Sequence, residues 1–236
     1  VKGCETTIFN YIKSCNRDVS DIRSVILSHS HPDHIGSAAV IKKKTGCQVY
    51  AHSSEKNWIE DIQTQVKIRP VPGFFELLDE SVKIDCFLTD GQVFEVQDHI
   101  KFKIIHSPGH SKGSINILFP GEKILFSADS IPVKNDIPNY DDFHDLMQSF
   151  NAVKTNQDYT VLLTSWTPPL TSPKEINTIL DEGETYLNLL DQAVKKIYTG
   201  KESHPLEFCT KVIKTLGLAE FYINPIVDKA FQGHIK

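Results

Sequence analysis

Short apolar runs separated by polar turns dominate the chain up to residue 165, and beyond residue 170 the apolar spacing becomes that of long helices. Val25-Ile26-Leu27, behind the cap-like Ser20-Asp21, has the length and branching of a buried strand. Residues 35–44 follow a helical pattern that stops before Gly46, and Gln48-Val49-Tyr50-Ala51-His52 reads as the next strand. Arg69-Pro70-Val71-Pro72-Gly73 suits neither period and predicts a loop placed to flank a site. Strands are then predicted over 83–88, 92–96, 100–106, 114–119 and 123–127, with turns at Asp90-Gly91, Gln97-Asp98 and Pro120-Gly121. The series reads as an antiparallel meander. A last buried strand is predicted over 159–163.

After Pro169, Ser172 is an N-cap, Pro173 suits the first helical position and Glu175 closes a capping box. Ile176, Leu180, Gly183, Leu187, Leu190, Val194 and Ile197 then recur at steps of four and three, which predicts one helix of about 25 residues ending before Gly200. This apolar seam reads as packing against the rest of the protein, with a homodimeric coiled coil as the alternative. A second helix is predicted over 205–216, stopped by Gly217, and a third starts at the Asn224-Pro225 cap.

Composition narrows the class. With 236 residues, 40% hydrophobic and 23% charged, the chain is long enough for one substantial α/β domain with a helical appendage. A formal charge of -5 argues against a nucleic-acid surface. Lys42-Lys43-Lys44 closes a predicted helix, where cations complement the dipole. No apolar stretch approaches the roughly 18 residues of a membrane span, and the first residues lack a signal-peptide pattern. Five cysteines without a CxxC pair suggest reduced thiols and a cytoplasmic location.

The chemistry concentrates in His29-Ser30-His31-Pro32-Asp33-His34, where three imidazoles and a carboxylate share one short loop. With ten His in the chain, single-residue frequencies make such a stretch about a one-in-a-thousand coincidence. Residues two apart on an extended chain face the same side, so His29 and His31 can grip one ion. Pro32 then turns the chain, so that Asp33 and His34 can face a second. Two more polar clusters close predicted strands: Ser107-Pro108-Gly109-His110-Ser111-Lys112-Gly113-Ser114, and Ser127-Ala128-Asp129-Ser130.

Taken in order, HSHPDH, HSPGHSKGS and LFSADS resemble the successive motifs of the metallo-β-lactamase superfamily, in its glyoxalase II-like, zinc-dependent hydrolase branch. The resemblance implies an αββα sandwich over residues 1–170, with shortened N-terminal strands and a C-terminal helical extension over 171–236. It also implies that His29, His31 and His110 hold one metal, that Asp33 and His34 hold a second, and that Asp129 bridges both. Zinc suits these donors, one ion tight and the other weaker or absent, and iron or manganese could load the carboxylate-rich half.

The chain departs from that pattern in two places. Val1-Lys2-Gly3-Cys4-Glu5-Thr6-Thr7 resembles only the tail of the turn that closes the family's first strand pair, which would leave a sheet edge unpaired. Where the family supplies a last histidine, the chain reads Thr164-Ser165-Trp166-Thr167-Pro168-Pro169, and the indole of Trp166 cannot ligate a metal. Ser165, Thr167 and His144 are the candidate substitutes. With less metal charge between them, Asp33 and Asp129 would raise one another's pKa and could act as acid or base.

The resemblance therefore implies a hydrolase in which a metal-bound hydroxide attacks a thioester, lactone or related ester, with Asp33 as the catalytic carboxylate. Tyr186, Tyr198, Phe221 and Tyr222 of the tail, together with Trp166 and His144, are candidate substrate-side residues for a small molecule. The alternatives are a catalytically weak or inactive binding protein of the same fold and a phosphodiesterase. A flavin-partnered diiron relative would carry Glu at the position of Asp33, and a nuclease would want an inserted domain and a basic face.

Overall fold

In the computed structural model, which describes residues 1–96, 100–200 and 204–235, the chain divides into two units, 1–90 and 91–236. In the first unit the elements are α1 (Glu5–Ser14), β1 (Ser24–Ile26), α2 (Pro32–Ile35), α3 (Ala38–Thr45), β2 (Gln48–His52), α4 (Lys56–Glu60), α5 (Ile62–Ile68), α6 (Phe74–Leu77) and β3 (Cys86–Leu88). The strands form one parallel sheet in the order β1-β2-β3, with Val25 opposite Val49 and Ala51 opposite Phe87. Parallel neighbours require crossovers, and α3 through α6 supply them. Val49, Ala51, Ile59 and Leu78 are fully buried at the centre of this unit.

Two expectations are corrected here. The single helix predicted over 35–44 is broken at Gly36-Ser37, between α2 and α3. A Cβ on Gly36 would collide with the carbonyl oxygen of Leu77 and the amide nitrogen of Lys2, so the chain can pass only as glycine. The Ser37 hydroxyl donates to the Val1 carbonyl at 2.6 Å. The strand predicted over 83–88, read as the start of the meander, instead pairs in parallel with β2. Asp85 is the reason: its carboxylate accepts the Val49 N–H at 2.8 Å and the Lys42 ammonium at 2.6 Å, and its own N–H donates to the Val49 carbonyl.

The second unit begins with the expected meander. β4 (Val93–Glu95), β5 (Lys101–His106), β6 (Ile115–Phe119) and β7 (Ile124–Ala128) pair antiparallel in sequence order. The predicted turn at Gln97-Asp98 lies outside the described residues. After α7 (Phe143–Thr155), β8 (Val161–Thr164) returns parallel to β7. The long helix is α8 (Pro173–Ile197), 25 residues opened by the reciprocal Ser172–Glu175 capping box, and α9 (Glu207–Leu216) and α10 (Pro225–Gln232) follow it. Ile176, Leu180, Leu187, Leu190 and Val194 of its seam are buried in one cluster with Leu125, Leu162, Phe150 and Phe231, so the helices after residue 170 complete the core of this sheet. Among the described residues no helix is long and apolar enough to cross a membrane.

A buried polar group closes this core. His234 stacks on Phe143 with ring centres 3.8 Å apart, lies 2.6 Å through Nε2 from the Tyr140 hydroxyl, and lies 3.1 Å through Nδ1 from the Asp191 carboxylate. A neutral ring protonated on Nδ1 satisfies both partners. Burial, opposed by Asp191 and reinforced by His144 and Lys195, brings His234 down to about 4. Because the folded form resists protonation, its stability is complete above the ordinary histidine pKa of 6.5 and declines as pH falls towards about 4. Between pH 7 and pH 5 the metal-free protein should lose about 2 kcal/mol more in urea unfolding than its His234→Gln variant. Equal losses would mean that His234 carries no such burial cost.

Candidate metal centre

The metal motif lies where β1 stops being a strand. Leu27 makes the last ladder bond, donating to the Tyr50 carbonyl at 2.9 Å, and Ser28, His29, Ser30 and His31 continue beyond it, all buried. His31 is extended, with φ -60° and ψ 145°, and caps α2, whose first residue is Pro32. The turn brings His34 back, its N–H donating to the His31 carbonyl at 2.9 Å. The ring of His29 therefore meets His31 edge-on at 4.5 Å and His34 at 4.1 Å. The Ser28 hydroxyl lies 3.1 Å from His29 Nδ1, and Asp33 Oδ2 lies 3.3 Å from His34 Nε2.

The backbone of this loop is held from a distance. Glu55, at the end of the turn after β2, accepts the Ser30 N–H at 3.0 Å. Gln65 of α5 donates through Nε2 to the Ser30 carbonyl at 2.6 Å. Both side chains are buried. Nothing in the local pattern around Glu55 or Gln65 distinguished them, and sequence reasoning missed both.

In the second unit His110 and Asp129 stand together, Nε2 to Oδ2 3.4 Å, with each side chain 7% exposed. His110 follows Gly109, whose φ of +122° and contact with the Leu146 backbone exclude any side chain. The Gly109 carbonyl accepts the N–H groups of Asp141 and Asp142, and Ser149 donates to the Pro108 carbonyl. Asp129 follows a register shift at the end of β7, and Ala128 has φ +45°. Asn116 of β6 ties the two loops: it accepts the Ser130 hydroxyl at 2.8 Å and donates to the Ser107 hydroxyl at 3.2 Å, and the two hydroxyls are 3.0 Å apart.

The remaining candidates are placed as follows. Trp166 is 57% exposed on the turn after β8, its N–H on the Thr164 hydroxyl. Ser165 donates its N–H to the Ala128 carbonyl, which sets this turn beside the Asp129 loop. The Thr167 hydroxyl is engaged with Thr164 at 2.8 Å. His144 is exposed at the start of α7, its N–H on the Asp142 cap. Of the tail aromatics, Tyr186 is buried and donates to the Asp136 carbonyl, and Tyr222 donates to the Asp136 carboxylate, whereas Tyr198 and Phe221 are exposed. The donor chemistry fits a transition metal: the imidazoles of His29, His31 and His34, drawn together on one short loop, would repel as cations and suit neutral nitrogen ligation.

Comparison with known proteins agrees. The family model for the metallo-beta-lactamase superfamily matches residues 9–167. A hydroxyacylglutathione hydrolase of Haemophilus influenzae is 27% identical over 116 residues, 46% of this chain and 50% of that protein. A probable metallo-hydrolase of Bacillus subtilis is 26% identical over 106 residues, 45% of this chain and 48% of that one. The chain spans about half the length of these curated relatives. Among solved structures, a metallo-beta-lactamase family protein from Thermus thermophilus superposes with a TM-score of 0.71 at 14% identity, over 100% of this chain and 79% of that one. The expected α/β class with two sheets is thus the observed one, and the chain belongs to the metallo-beta-lactamase superfamily.

Proposed function

We propose that this chain is a metal-dependent hydrolase of thioesters, lactones or related esters. The observation that carries the reading is the convergence of the His29, His31 and His34 rings at the end of β1. In the family's motif order His29, His31 and His110 would hold one ion, and Asp33, His34 and Asp129 a weaker second. Zinc bound by these imidazoles would supply Lewis-acid activation of water and of an acyl oxygen. Asp33, with Oδ2 3.3 Å from His34 Nε2, is proposed to take the proton of the attacking water. Gly109 and the Asn116 bridge support the reading, since they hold His110 and Asp129 in one geometry. The hydroxyacylglutathione hydrolases among the relatives favour thioesters as the first substrates to try.

A second reading, a binding protein of the same fold with little or no catalysis, rests on Trp166 standing where a ligand is expected. Elemental analysis beside an esterase, thioesterase and phosphodiesterase panel separates the two. The hydrolase should purify with one tight ion and a weaker second, and should lose thioester or lactone turnover to a chelator. A metal-free, inert protein would sink the reading.

Three substitutions refine it. Asp33→Asn should cut turnover by about 10²-fold while the fold persists, whereas His31→Ala should remove the first ion. Full activity in Asp33→Asn would refute the assigned role. Trp166→His should raise metal stoichiometry towards two if the indole stands in for a ligand. If the indole is a substrate wall, KM should rise instead by a factor equivalent to about 1 kcal/mol or more. No change in either would place Trp166 outside the site.

A further inference from the structure

The geometry points to Glu55 and Gln65 as positioning residues that set the angle between the imidazoles of His29 and His31. This inference rests on the proposed metal reading and goes beyond it, because neither side chain is a ligand or lies in the motif. Beyond Leu27 the loop has left the sheet, and among the described residues no neighbouring strand supplies partners for the peptide groups of Ser30. Ser30 is the pivot between the two ligands, and it is wholly buried. Both polar groups of its backbone are taken by side chains: its N–H by Glu55, 25 positions later, and its carbonyl by Gln65, 35 positions later.

The two partners approach from different elements, so their bonds act as a two-point clamp. With only one of them the peptide planes flanking Ser30 could rotate about the remaining bond, and the rings two residues apart would diverge. The anchors are themselves fixed. Glu55 ends a turn capped by His52, whose Nδ1 accepts the Ser54 N–H, and α5 is capped by Asp61, which accepts the N–H groups of Gln63 and Thr64. The chemistry is unsymmetrical. Position 55 requires an acceptor, which Gln can provide through its carbonyl, and position 65 requires a donor, which a carboxylate cannot provide.

The test is titration of the metal-free full chain with cobalt(II) and zinc(II) against a chromophoric chelator, with the cobalt visible spectrum recorded. Glu55→Leu and Gln65→Leu should each weaken the tight ion by about 10-fold or more and shift the cobalt bands, as loss of groups that orient ligands does. Glu55→Gln should restore affinity to near the parent value, and Gln65→Glu should not. His234→Gln, which lowers stability in the other unit, should leave affinity and spectrum unchanged. Should the Leu variants fail to fold, Glu55→Asp and Gln65→Asn withdraw the partner atom by one methylene and carry the same comparison. A parent chain that binds neither ion overturns the metal reading and this one with it. A parent that binds while the variants bind equally well, or with Glu55→Gln as weak as Glu55→Leu, overturns the clamp alone.

Discussion

A buried peptide group must be hydrogen-bonded, and the functional loops of this protein are buried where sheet pairing has ended. The candidate ligands stand one to seven positions past the last ladder bond of β1, β5 or β7. There the backbone can aim a side chain in directions a strand forbids, but it has lost its partners. The structure meets this constraint with side chains. Glu55 and Gln65 complete Ser30, Ser149 completes Pro108, and Asn116 spans the hydroxyls of Ser107 and Ser130. Left unpaired, each such group would cost about 1–3 kcal/mol, enough to let the loop rearrange.

This explains what could be read in advance. The histidine motif, the capping box of α8 and the seam from Ile176 to Ile197 are local signals, complete within a few residues, and the structure realises the helix as 25 residues. The alternation from residue 92 onward predicted the antiparallel strands of the second sheet, with ends shifted by a residue or two. The failures share one cause. The position of β3, the break at Gly36 and the partners of Ser30 are decided by contacts between residues some 25 or more positions apart. An apolar triplet looks the same in a meander and in a crossover, and a buried Glu announces itself only through its distant partner.

The Trp166 turn is fastened through its backbone. Ser165 bonds to Ala128 beside Asp129, and the Thr164 hydroxyl closes the turn by accepting two N–H groups. In the same unit Tyr186 and Tyr222 converge on Asp136, so the helical tail fastens the segment that follows the Asp129 loop.

The two sheets also differ in how far the chain must travel to make them. Neighbours in the β4–β7 meander are adjacent in sequence, whereas Val25 must find Val49 and Ala51 must find Phe87 across long intervening segments. Closing those loops costs entropy before any contact repays it, and non-local pairing slows folding. The β4–β7 meander therefore has the kinetic advantage, and the parallel sheet, whose edge carries His29 and His31, is the slower to organise. Under the proposed metal reading, this ordering would leave half of the candidate ligands on an unfinished chain. Uptake of metal at the proposed site would then depend on the rate at which three short parallel strands find one another as much as on the affinity of the finished protein.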